Sequence, residues 1–99
     1  MTDSMAVKPA VPKIIATHAV VDVERWLSGK GERAAAIESW SGSNVTDFVA
    51  EDGSNKIAVT ADIADLETMK ALMASPSPEV MATMEKHGVV PPITLYIEA

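Results

Sequence analysis

Val45-Thr46-Asp47-Phe48-Val49-Ala50-Glu51-Asp52-Gly53-Ser54-Asn55-Lys56-Ile57-Ala58-Val59-Thr60-Ala61-Asp62-Ile63 sets two β-type runs on either side of a polar, glycine-bearing turn. The second run alternates: Ile57, Val59, Ala61 and Ile63 point one way, and Lys56, Ala58, Thr60 and Asp62 the other. Period-2 patterning around Asp-Gly predicts a β-hairpin with strands over 45–51 and 56–63. The hairpin sits mid-chain, and the flanking segments mirror each other around it.

Upstream, Lys13 to Val21 is β-branched and almost continuously apolar, which predicts a strand over 13–21 with cover on both faces. Asp22 suits a helix N-cap, and Val23, Trp26 and Leu27 follow at i, i+3, i+4. Gly29 and Gly31 interrupt this pattern. It resumes near Glu32, with Ala34, Ile37 and Trp40 as the inner face, so a helix with a loosened middle is expected between Asp22 and Ser39. Ser41-Gly42-Ser43-Asn44 is turn chemistry.

Downstream, Asp65 caps a helix whose apolar face is Leu66, Met69, Leu72 and Met73. Ser75-Pro76-Ser77-Pro78 breaks it, and Ser77 as N-cap with Pro78 at the first helical position restarts it. Val80, Met81 and Met84 form the next buried side, and Gly88 is the stop. Pro91-Pro92 resets the chain to extended form before an alternating strand over 93–98. Residues 1–12 read as a flexible N-terminal tail. Residues 13–99 form one domain of order strand, helix, strand, strand, helix, strand. That order predicts an α+β, ferredoxin-like βαββαβ fold, a four-stranded antiparallel sheet with its helices on one face. Two such sheets packed face to face in a homodimer would cover the open sheet face.

Charge narrows the partners. Fourteen acidic against eight basic residues give a net charge of −6. The basic residues are scattered, so no stripe is available to exchange for phosphate counterions, and neither nucleic acid nor anionic membrane is expected as a partner. The absence of cysteine removes thiolate and disulfide chemistry. The N-terminal run has no signal-peptide pattern and no stretch reaches transmembrane length, so a cytoplasmic location is expected.

Three runs resemble a known group. His-Ala-Val-Val-Asp-Val-Glu-Arg-Trp (His18 to Trp26), Ser54 to Lys70 and Ser77 to Pro92 are similar to the first strand, second hairpin strand with its helix, and last helix of the dimeric α/β-barrel superfamily. That superfamily includes the antibiotic-biosynthesis monooxygenases. The resemblance implies a dimer whose two sheets form a barrel and, in the enzymes of the group, a pocket between sheet and helices. Those enzymes include quinol-type monooxygenases, haem-degrading oxygenases and polyketide cyclases. The haem-degrading pattern is not met, because Asn44 and Asn55 both fall in turns. His18 matches the first-strand histidine of the cyclases. The resemblance thus implies a small dimeric protein binding an apolar or aromatic molecule. The alternative is a cofactor-independent monooxygenase or polyketide-cyclase-like enzyme with His18 as acid/base. No cofactor is expected on either.

His18 is the candidate catalytic residue: an ionisable ring inside an apolar strand, titrating near neutrality. It needs a pocket and a partner, with Thr60 and Tyr96 on other strands as candidates. The plainer reading is a core histidine bonded to a neighbouring strand. Trp26, Met69 and Met84 complete the candidate ligand-binding set with Thr60 and Tyr96. Each also reads as ordinary core, although methionine walls adapt to varied apolar ligands. His87 at a helix C-terminus reads as dipole complementation. His18, Asp22 and His87 are too few and too dispersed for a metal site. Asp47 and Asp62 lie on the two hairpin strands in an unknown register.

Overall fold

The structure, a computed structural model, describes residues 10–99. Its elements are β1 (Lys13–Val20), α1 (Val23–Ser28), α2 (Lys30–Ser39), β2 (Gly42–Val49), β3 (Lys56–Ile63), α3 (Leu66–Ala74), α4 (Pro78–Lys86) and β4 (Val89–Ile97). The strands form one antiparallel sheet of order β2-β3-β1-β4, the ferredoxin-like arrangement that the chain order predicts. The expected tail lies, for residues 1–9, outside the described residues. Pro12 is buried, and its carbonyl accepts the Ile63 N–H at 2.9 Å, so the β1–β3 bonding starts one residue before β1.

Each helix begins where its cap chemistry puts it. The Asp22 carboxylate accepts the Arg25 N–H at 3.2 Å, Asp65 accepts that of Thr68 at 3.1 Å, and the Ser77 hydroxyl accepts that of Val80 at 3.2 Å. The loosened middle of the first helix is a break at Gly29, which separates α1 from α2. The helices cover one face of the sheet. Ile14 and Val20 of β1 and Ile57, Val59, Ala61 and Ile63 of β3 are buried there, with Trp26 and Met69 packed onto them.

Two strands depart from the sequence-based limits. β2 starts at Gly42, inside the stretch read as a turn. Its register slips by one residue between Ser43, opposite Asp62, and Thr46, opposite Thr60. Asn44 takes the left-handed conformation there (φ 53°), and its amide donates to Asp62 at 2.7 Å. The slip is a β-bulge, and it exchanges the faces of the residues that follow. β4 starts at Val89 and carries Pro91 and Pro92 inside it, four residues earlier than the expected strand. The pairing with β1 jumps from Thr17–Thr94 to Ala19–Val90, which leaves residues 91–93 out of the ladder opposite His18. Prolines cannot donate to a ladder and are tolerated on an edge strand at such an irregularity.

Candidate functional site: a cavity between sheet and helices

Along β1, Ile14, Ala16, His18 and Val20 face the helices, and Ile15, Thr17 and Ala19 face the other way. Ala16 on β1 and Ala36 on α2 leave the layer between sheet and helices unfilled. A cavity of about 350 Å³ results, with both alanines on its wall. Met69, Leu72 and Met73 of α3 and Val80, Thr83 and Met84 of α4 form its roof, and Ile93 and Leu95 of β4 close one side. His18, Arg33 and His87 also line it, from β1, α2 and the end of α4. The volume falls in the range that holds small-molecule ligands.

The His18 ring is fixed. Its Nδ1 lies 2.8 Å from the Ala19 carbonyl oxygen, which can only accept, so Nδ1 carries the proton and Nε2 is the basic nitrogen of the neutral ring. The ring meets Trp26 edge-on, with centroids 6.3 Å apart at 83°. Burial lowers the His18 pKa below its ordinary value. The Ala19 carbonyl opposes this, and the Arg33 charge adds to it. His18 also borders a second hollow, of about 490 Å³, on the open sheet face, at the point where the β1–β4 ladder is interrupted.

Arg33 is the hub of the polar end. Its Nη2 donates to Asp47 Oδ2 at 3.0 Å, its Nε to Asp47 Oδ1 at 3.4 Å, and its Nη1 to the Trp26 carbonyl at 3.0 Å. The guanidinium lies 4.0 Å over the Trp26 ring. The two ion-pair side chains are 11% and 3% exposed. Asp47 reaches Arg33 because the bulge at Asn44 turns it onto the helix side, opposite Val59.

His87, read from sequence as complementing the helix dipole, is buried. Its ring lies over Gly29, where no side chain fits beneath it. Nε2 is 3.3 Å from Glu32 Oε1 but outside hydrogen-bond geometry, and it has no other partner among the described residues. Burial lowers the His87 pKa; Arg33 and Lys86 add to the shift, and Glu32 opposes it. A neutral ring does little for a dipole, so packing explains its place better than charge does. Lys86 holds Glu32 at 3.0 Å, and the guanidinium of Arg25 donates to the carbonyls of Lys86 and Glu85. These contacts fasten the end of α4 to α1 and α2.

The candidates named from sequence divide accordingly. His18, Met69 and Met84 line the cavity together. Trp26 is fully buried behind His18 and Arg33 rather than on the cavity wall. Thr60 and Tyr96 are not partners of His18. Both pair across Ile15 on the opposite, open face of the sheet, because their parity in the ladder is that of Ile15. Arg33, Asp47 and His87 were not singled out as site residues. No cluster of donors that could hold a metal ion occurs among the described residues.

No protein-family model matches the sequence, and no curated protein matches it. Solved structures do match in shape. SnoaB from Streptomyces nogalater, a cofactor-independent oxygenase, superposes with a TM-score of 0.64 at 13% identity, over 86% of this chain and 89% of that one. The chain has the fold of the antibiotic-biosynthesis-monooxygenase-like proteins. A protein of Nitrosomonas europaea described as a candidate antibiotic biosynthesis monooxygenase superposes at 0.66 with 6% identity, covering 94% and 92% of the two chains. Its counterpart from Bordetella bronchiseptica superposes at 0.68 with 10% identity, covering 90% and 95%. At these identities the antibiotic-biosynthesis-monooxygenase-like proteins share an architecture with this chain, which alone does not carry an activity across.

Proposed function

We propose that this protein binds a small, largely apolar molecule in the cavity between its sheet and helices, and that it does so as a homodimer closed through the open sheet face. The observation that carries the reading is the 350 Å³ cavity into which His18, Arg33 and His87 converge on otherwise apolar walls. A few placed polar groups in an apolar hollow are the usual make-up of a ligand site. Met69, Met73 and Met84 give the wall adaptable side chains.

A second reading has His18 as an acid/base in cofactor-independent oxygen or cyclase-type chemistry. One observation favours it: the Ala19 carbonyl fixes the proton on Nδ1, so that Nε2 is a base in a ring held neutral near pH 7. SnoaB, a cofactor-independent oxygenase, is built on the same fold.

Thermal melting with and without a panel of naphthalene- and hydroquinone-type compounds tests the first reading. Wild type should gain melting temperature with the compounds that bind. Ala36→Leu, which fills the cavity from α2, should stay folded and lose that gain. A panel that shifts wild type and Ala36→Leu alike would place binding elsewhere and end the reading. Oxygen uptake with the compounds that bind separates the second reading: turnover lost in a folded His18→Ala supports it, and turnover unchanged in that variant removes His18 from the chemistry.

A further inference from the structure

We propose that Arg33 makes the cavity selective for apolar molecules bearing one anionic oxygen group, a carboxylate or an ionised ring hydroxyl. The inference rests on the cavity being a ligand site and adds the charge of what enters it. A guanidinium has five N–H donors. Three are committed, to Asp47 Oδ1, Asp47 Oδ2 and the Trp26 carbonyl. One N–H on each terminal nitrogen is left without a protein acceptor among the described residues, on a side chain that lines the cavity and is about nine-tenths buried.

The guanidinium is held in plane as well. Trp26 lies under its face at 4.0 Å, and Asp47 grips the Nε–Nη2 edge, so the remaining donors cost little ordering when a ligand arrives. A carboxylate or oxyanion is the acceptor that a planar cation of this kind pairs with best. Asp47 neutralises part of the charge from the Nε–Nη2 edge, and the Arg33 charge still lowers the pKa of both His18 and His87. Among the described residues, the only carboxylate on the cavity wall is Glu79, which is exposed and therefore screened by solvent. Of the two neutral histidines beside Arg33, His87 has one N–H to offer the same oxygen group without adding charge, whereas the N–H of His18 is already given to the Ala19 carbonyl.

The test compares 2-naphthoate with its neutral isostere 2-naphthamide by titration calorimetry at pH 7.5, with 2-naphthol as a third arm whose fluorescence reports its ionisation. Wild type should bind 2-naphthoate about tenfold more tightly than the amide, as one added charge-assisted hydrogen bond implies. Bound 2-naphthol should ionise at lower pH than free 2-naphthol. The double variant Arg33→Gln/Asp47→Asn removes both buried charges together, so that neither is stranded. It should bind the acid and the amide equally. Wild type binding the amide as tightly as the acid overturns the inference and leaves the cavity reading standing. A preference that persists in the double variant overturns the role of Arg33. Failure of all three compounds to bind overturns both.

Discussion

His87 fills the space that a side chain at Gly29 would need: its imidazole lies against the glycine at the break between α1 and α2. The break therefore admits the end of α4 as well as bending the helix. Gly29 has φ −91°, which any residue can adopt, so the requirement is steric rather than conformational.

Gly29→Ala tests that contact. At a compatible φ the change would gain about 0.4–1 kcal/mol through the unfolded chain. Forcing a methyl group into the ring costs about 1–3 kcal/mol. The net expectation is a loss of about 1–2 kcal/mol in urea unfolding, with the His87 imidazole resonances displaced. A variant as stable as wild type, with His87 unmoved, would show that the contact is not tight.

Much of the fold was legible because it follows from local chemistry. The Asp52-Gly53 hairpin, the caps at Asp22, Asp65 and Ser77, and the apolar β1 needed only neighbours in sequence. The bulge at Asn44 did not announce itself, since Ser41 to Asn44 has the composition of a turn, and the strand began inside it. That one slip hid the polar end of the site, because it alone decides that Asp47 faces Arg33 rather than the open face. His18, Met69 and Met84 could be named from their positions in apolar runs. Arg33 could not, because its meaning lies in what Trp26 and Asp47 do to it across three elements. The signal missed for His87 was Gly29, read as a helix interruption when it also marked a close approach.

The Arg33–Asp47 pair makes a second prediction. Its members are nearly buried, so removing one leaves the other charge in a poor solvent. Asp47→Ala should cost about 3 kcal/mol or more in urea unfolding. Arg33→Met/Asp47→Leu, which removes both charges and keeps volume, should cost clearly less. Equal losses in the two variants would mean that packing against Trp26, not charge, dominates.

The two histidines predict the acid limb of stability. Both have folded-state values below the ordinary 6.5, mainly through burial. Below that value the unfolded chain takes up protons that the folded one resists, so stability is fully present above about pH 6.5 and declines as pH falls toward the depressed values. Glu32 and Asp62, each held below the usual carboxylate range by a hydrogen-bonded partner, extend the loss at lower pH. Melting temperature should be level from pH 7 to 8 and fall from pH 6.5 to 5. His87→Gln should flatten that fall even if its plateau is lower. An unchanged slope in both His87→Gln and His18→Gln would remove the histidines as its cause.

The open sheet face carries the last prediction. One row across it reads Thr46, Thr60, Ile15, Tyr96, and the next Phe48, Ala58, Thr17, Thr94. Phe48 is 49% exposed, Tyr96 57% and Ile15 39%, and the second row lines a hollow of about 490 Å³. Helices cover the other face, so a second copy laid sheet to sheet is the cover these side chains call for. Light scattering at micromolar concentration should give about twice the 10.5 kDa of one chain. Phe48→Lys should shift the species toward monomer without unfolding it, because the side chain leaves the helix-side core untouched. The same substitution should weaken ligand binding in the cavity far less than Ala36→Leu does, since the two lie on opposite faces of the sheet. A monomeric wild type would mean that these exposed rows stay in water and that β1 does not need its second cover.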